Sequence, residues 1–349
     1  MQLRALIVLA ILLSSVGVTA QTPNEQDAEV IRVETDLTNL LFTATDRQGR
    51  FITTLREEDI RVLEDGVPQE LFTFQHQTDR PLAIAFLIDV SGSQERTLPQ
   101  EKGAARRFIE TIIQSRKDQA AIIAFTGPTF LEEPLTRDVI GLYRALERVQ
   151  VAMPAYLGSG RPIGGIASGP GLRAQPREGS TAIWDALAVT ASEVLAKGED
   201  QRRRAIILLS DGVDTSSRLR RSDALDRVLA AEAVIYAIGI GDKRYEGVDR
   251  GVLREVAQRS GGRAFFPQKE EDLRAAFTEI EKELRSQYLI AYSSSNKTRD
   301  GGYRQMRIEI TNRDLQNERL NLRYRPGYFA RPLPAGQNTE SGTGAQLDR

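Results

Sequence analysis

The sequence contains no cysteine. Disulfides, thiolate metal centres, iron–sulfur clusters and cysteine nucleophiles are excluded together. It contains one histidine, His76, so a Ser-His-Asp hydrolase or a multi-histidine zinc site has almost no parts to work with. Neither charge is in surplus: 47 basic residues face 48 acidic ones. A dedicated nucleic-acid binder would need a strong basic excess. After the first twenty residues no stretch is apolar enough to cross a bilayer, which takes about 20 residues. What remains is ordinary globular material, 40% hydrophobic and 27% charged over 349 residues. That excludes a fibrous or wholly disordered chain. At about 100–200 residues per domain, the length suits two compact units or one with a decorated edge.

Residues 1–20 carry Arg4, an apolar run from Ala5 to Leu13, and small residues at Val18-Thr19-Ala20. A short positive region, an apolar core and a small-residue site make a secretory signal, with cleavage expected after Ala20. The alternative is an uncleaved anchor, against which the shortness of the apolar run counts. No cysteine follows the cleavage site, which excludes lipid attachment there. The mature chain is expected to be soluble, without a transmembrane segment, and either secreted or periplasmic.

Residues 30–80 alternate apolar and polar. Ile31, Val33, Thr35 and Leu37 carry one phase, and Leu40, Phe42 and Ala44 carry the other, a slip that a bulge would produce. Glu64-Asp65-Gly66 marks a hairpin. At Pro81 the pattern changes. Buried-strand runs at Leu82–Ile88, Ala120–Phe125, Ala205–Leu209 and Ala233–Ile238 alternate with helical patterns through Leu284. That alternation predicts an α/β domain over 81–285, a doubly wound and mainly parallel sheet of Rossmann-like type covered on both faces. Three short strands follow within 286–330. Neither flank has enough strands to bury a core alone, so the two are expected to form one β-sandwich-like accessory domain, although separate flanks remain an alternative. Residues 331–349 have the composition of a disordered tail.

In open parallel sheets ligands bind beyond the carboxyl ends of the strands, where successive connections diverge. The first buried strand ends in Asp89-Val90-Ser91-Gly92-Ser93, and the third in Ser210-Asp211-Gly212. Gly179-Ser180-Thr181 opens a helix. Asp89, Ser91, Ser93, Thr181 and Asp211 offer oxygen only, a donor set for a hard cation such as Mg²⁺. Two carboxylates neutralise a +2 charge. The hydroxyls add none, which leaves the metal electrophilic enough to accept an outside carboxylate.

These residues carry a family resemblance. Asp89-Val90-Ser91-Gly92-Ser93 resembles the D-x-S-x-S signature of von Willebrand factor type A (VWA) domains, and the loops at Thr181 and Asp211 resemble their second and third metal loops. The resemblance covers about residues 81–285. It implies a metal-ion-dependent adhesion site (MIDAS) for Mg²⁺, Mn²⁺ or Ca²⁺. Ser91, Ser93 and Thr181 would face the ion directly or through water, Asp89 and Asp211 would act mostly through waters, and a protein partner's Asp or Glu would complete the shell. The whole chain also resembles secreted type A-related proteins of soil bacteria such as acidobacteria, which share the Leu63-Glu64-Asp65-Gly66 phrase.

The expected function is therefore an exported binding protein, not an enzyme. Two other readings stay open: a metal-assisted phosphoesterase-like hydrolase, and a structural envelope module with an unused metal site. One departure from the family is a Gly-rich stretch, residues 153–178, which reads as a long structureless loop that covers the site or has no role. His76 is expected to pack or lie at the surface, and Trp184 to anchor the core. Arg202-Arg203-Arg204 is expected to be a solvated edge at the end of the sheet away from the metal.

Overall fold

Strand β1 (Leu37–Thr45) sends Leu40, Phe42 and Ala44 inward, as the period of two requires. In the computed structural model, residues 37–76, 80–113, 117–151, 160–163, 180–198, 202–241 and 247–330 are described. All fall in a single unit, Asp36–Arg349. The leader, the residues before Leu37, most of the Gly-rich stretch and the tail at 331–349 lie outside the described residues. Strands β2 (Ile60–Glu64) and β3 (Val67–Pro68) form a hairpin at the expected turn, although the run at Glu70–Phe74 does not supply its second strand. Its turn residues Asp65 and Gly66 have φ of 49° and 83°, the left-handed pair that matches the twist of a tight hairpin. Strand β4 (Leu71–His76) closes the segment.

The α/β part then runs β5 (Leu82–Asp89), α1 (Leu98–Ile112), β6 (Gln119–Phe125), β7 (Thr129–Thr136), α2 (Val139–Arg148), β8 (Arg161–Ile163) and α3 (Ile183–Val189), which continues as a π-helical turn, Thr190–Leu195. It goes on through β9 (Arg203–Ser210), α4 (Arg221–Ala230), β10 (Ala233–Gly239), α5 (Arg250–Arg259), β11 (Ala264–Phe265) and α6 (Glu270–Arg285). The seven strands lie in the order β11-β10-β9-β5-β6-β7-β8. The first five in that order are parallel, and β7 and β8 are antiparallel.

The sequence of β5 shows why helices cover both faces. Leu82, Ile84, Phe86 and Ile88 point toward α1, α2 and α6. Ala83, Ala85 and Leu87 point toward α3, α4 and α5. Every residue of the strand is buried. Such a strand has no solvated side and reads as a continuous apolar run.

The chain returns through β12 (Tyr288–Ser293), β13 (Tyr303–Ile310), the short helix α7 (Arg313–Glu318), β14 (Asn321–Tyr324) and β15 (Gly327–Phe329). Two antiparallel sheets result, β14-β1-β12-β4 and β15-β13-β2-β3. Each takes strands from both flanks, and their inner faces share one core built around Phe42, Val62, Tyr288, Ile290 and Met306.

Three sequence expectations need correction. Arg202-Arg203-Arg204 is not a solvated edge. Arg203 is only 3% exposed and donates to the Leu284 carbonyl at the end of α6 and to Gln287 Oε1 at 3.3 Å. A helix's carboxyl end presents unpaired carbonyls and partial negative charge, which draws a guanidinium inward. The expected bulge in β1 is absent, because its register against β12 is unbroken from Leu37 to Phe42. The Gly-rich stretch is not structureless throughout: Arg161–Ile163 adds an edge strand to β7. Strand β7 was itself not foreseen. Its register against β6 shifts between Ala120 and Ile122, where Pro134 lies in the irregular part, a place proline tolerates.

Candidate metal centre

Strands β5 and β9 are neighbours in the sheet. From β5 the chain crosses to α1 on one face, and from β9 it crosses to α4 on the other. Their carboxyl ends therefore border the crevice where the winding reverses. Asp89 ends β5 and is fully buried. Its Oδ1 accepts the Ser91 backbone N–H at 2.9 Å, and its Oδ2 accepts the Ser210 hydroxyl at 2.7 Å. The first bond curls the loop back over the strand end, as Asp favours in such turns. The Ser91 and Ser93 hydroxyls lie 3.0 Å apart, and Ser93 donates to Asp211 Oδ2 at 2.6 Å. Four of the five expected residues, Asp89, Ser91, Ser93 and Asp211, thus belong to one linked group, with Ser210 completing it.

Thr181, the fifth expected residue, bonds not to this group but, through its backbone, to the loop that follows Asp211. Its N–H donates to the Thr215 hydroxyl at 2.7 Å, and its carbonyl accepts the N–H groups of Thr215 and Ser216 at 2.8 and 3.0 Å. Asp214 Oδ1 accepts the Ile183 N–H at 2.8 Å, and the Ser217 hydroxyl accepts the Trp184 N–H at 3.0 Å. The loop after β9 therefore satisfies the open N–H groups that start α3. The Thr181 hydroxyl makes no hydrogen bond among the described residues.

Ser210, Asp214, Thr215 and Ser217 were not assigned roles from sequence. The run of short oxygen-bearing side chains from Ser210 to Ser217 was the available signal. Gly212 has φ of +84°, and a Cβ there would lie 2.9 Å from Leu253 and 3.0 Å from the Asp249 carbonyl. Both the conformation and the space demand glycine.

Burial, and then the negative charge of Asp211, push the Asp89 carboxyl up to about 7, against the pull of its bonds from Ser91 and Ser210. Two carboxylates held this close and this dry repel each other and favour a proton or a cation between them. The donor set is oxygen throughout, suited to Mg²⁺ or a similar ion and not to a soft metal. Among the described residues no group of three His, Cys, Asp or Glu side chains is placed to hold a metal, so the hydroxyls must complete any shell. The residues present fit a divalent cation.

His76 is half-buried with its ring 4.9 Å from that of Tyr288. Burial and the charge of Arg203 hold its imidazole below its usual range. It packs in the sandwich, away from the centre. Trp184 is buried among the helices of the second face, with the Arg221 guanidinium 5.8 Å from its ring centre.

The family model of the von Willebrand factor type A domain matches residues 172–279. No curated protein matches the chain. Among solved structures, the chain is similar to proximal thread matrix protein 1 of the mussel byssus, at 18% identity and a TM-score of 0.46 over 64% of this chain and 51% of that one. It thus spans about half the length of that protein. A further structure of the same protein is described as having a zinc-occupied MIDAS motif, at 17% identity and a TM-score of 0.47 over 63% of this chain and 48% of that one. A von Willebrand factor type A protein of Catenulispora acidiphila aligns at 14% identity and a TM-score of 0.47 over 86% of this chain and 75% of that one. The family match contains Thr181 and Asp211, and β5 with its Asp89 loop pairs directly with β9 inside it. Over residues 172–279 the α/β part of this chain therefore matches the von Willebrand factor type A domain.

Proposed function

We propose that the chain is an exported, non-enzymatic binding protein that holds one divalent cation, of the Mg²⁺ type, on Asp89, Ser91, Ser93, Thr181 and Asp211. Through that cation it would engage an acidic residue of a protein partner. The observation that supports this most is the linked group of oxygens at the sheet's carboxyl edge, in which, among the described residues, no basic side chain pairs with either of the two carboxylates. A bound cation would supply a positive centre able to accept an outside carboxylate. The chain's own part is to hold the hydroxyls in place and keep its two acids close. Among the described residues no helix is long and apolar enough to cross a membrane. Export rests on residues 1–20, and the mature chain is expected to begin at Gln21, which amino-terminal sequencing checks.

The metal is tested by thermal melting with and without millimolar Mg²⁺ or Mn²⁺. An ion that binds only the folded state raises stability by mass action, by about 2.7 kcal/mol at a hundredfold excess over its dissociation constant. A rise of several degrees is expected in the native chain and none in Asp89→Ala. The partner is tested by affinity capture from native extract, where chelation should release an acid-bearing protein. No melting shift, or an equal shift in Asp89→Ala, removes the metal. Capture that survives chelation removes the proposed mode of binding.

A further inference from the structure

Beyond the carboxyl end of β10, where α1, α5 and α6 begin, lies a cavity of about 300 Å³. That volume is of the order that small-molecule sites occupy. A Cβ at Gly241 in its wall would lie 3.0 Å from that of Asp211, but none of the five candidate metal residues lines it. Ile240, Val248, Phe266 and Leu273 give it apolar surface. Phe266 is fixed there: a Cβ at Gly239 would meet its ring at 2.6 Å, and the Arg250 guanidinium lies 4.3 Å from the ring centre.

The charged groups of the wall differ in depth. Glu101, on α1, is 1% exposed, and among the described residues neither of its carboxylate oxygens has a hydrogen-bond partner. Burial raises its carboxyl to about 8, the Thr97 hydroxyl eases the rise, and the charges of Asp89 and Asp211 add to it. That hydroxyl donates to Gln94 Oε1 at 2.9 Å. An acid left without donors in a dry place costs stability. In the wall of a cavity, it is explained by an occupant that donates to it. Arg250 and Lys269, by contrast, are exposed and mark the mouth. Among the described residues neither forms a salt bridge.

We propose that this cavity binds a small zwitterion of the amino-acid class, with its ammonium inside against Glu101 and its carboxylate at the mouth beside Arg250 and Lys269. An ammonium has three donors and a full positive charge, so it serves both Glu101 oxygens and cancels the charge that burial makes costly. A bare amine would meet two cations on its way in, and a bare carboxylate would meet Glu101. Only a ligand with both charges suits both ends, and the apolar wall takes the carbon chain between them.

The test is melting of the full chain at pH 8, where Glu101 gives up its proton, in chelator, which keeps the result independent of the metal. The probes are glycine, β-alanine, 4-aminobutyrate and 6-aminohexanoate at millimolar concentration, which share their charged ends and differ in span. At least one should give a saturable upward shift of several degrees. Butylamine and butyrate at matched ionic strength should give none. Glu101→Gln keeps the shape of the wall and removes a cost to the fold, so the variant folds, and it should abolish the shift. No saturable shift with any of the four, an equal shift with butylamine or butyrate, or a shift unchanged in Glu101→Gln overturns the proposal.

Discussion

Glu101→Gln should make the protein more stable near neutral pH, by an amount that grows as the pH rises. Glu101 lies on α1 and is only 1% exposed. Neither of its carboxylate oxygens has a hydrogen-bond partner. The neighbouring Thr97 hydroxyl eases the charge but donates to Gln94 Oε1 at 2.9 Å. Burial raises the Glu101 carboxyl from 4.5 to about 8, with Asp89 and Asp211 adding to the rise. The unfolded chain gives up this proton near pH 4.5, and the folded chain keeps it until about pH 8. Stability is therefore greatest below pH 4.5 and falls as the pH climbs through that window. At 1.36 kcal/mol per pH unit, the loss is on the order of 3 kcal/mol by pH 7.

Glutamine keeps the shape and carries no proton to lose. Melting curves of the native chain and Glu101→Gln should coincide near pH 4.5 and separate toward pH 8. Curves that run parallel across that range would show that Glu101 is not the titrating group. A cation at Asp89 and Asp211 would remove part of the repulsion, so the separation should narrow when metal is added.

Glu64→Ala should have the opposite effect and a large one. Glu64 lies on β2 and is 2% exposed. Its Oε2 accepts the hydroxyls of Tyr292 and Tyr328 at 2.8 and 2.9 Å, and its Oε1 accepts that of Ser294. Tyr292 belongs to the facing sheet, so one carboxylate fastens both layers of the sandwich. Burial and the Glu64 charge raise the Tyr292 phenol well above its ordinary value, which keeps it a donor. Alanine strands three donors at about 1–3 kcal/mol for each one left buried. A loss of about 4 kcal/mol is expected, and a smaller one in Glu64→Gln, which keeps an acceptor.

The single tryptophan, Trp184, lies in the α/β core. Its fluorescence reports that domain alone, while circular dichroism reports both. In denaturant, Glu64→Ala should lose sandwich signal by circular dichroism before the tryptophan transition. A Glu64→Ala chain as stable as the native one would show that the carboxylate does not hold the layers.

The parts of this protein that were legible in its sequence are those whose physics is local. The continuous apolar run of Leu82–Ile88 already implied two covered faces. The candidate metal residues could be read because each loop holds its donors within a few positions, at the end of a recognisable strand. Long-range partnerships were not legible. Arg203 looks like part of a charged run, and only the return of α6 brings it the Leu284 carbonyl, 81 positions away. Glu101 occupies the apolar stripe of α1, three residues after Leu98 and four before Ala105, yet nothing nearby in sequence shows that it lacks a partner. Strand β7 was hidden because Glu132, Glu133 and Pro134 interrupt its period.

The interleaving of the two small sheets also sets an order of events. Glu64 and Tyr328 are separated by 264 positions, and β1 and β4 both pair with β12. The opening strands must therefore wait, edges bare, until nearly the whole polypeptide has been synthesised. The intervening α/β segment is built from neighbouring strand–helix pairs and can collapse by itself. The sandwich then closes last, like a clasp across the two ends of that segment. A chain cut short before Tyr288 would keep its tryptophan core but carry an unmatched, adhesive fringe.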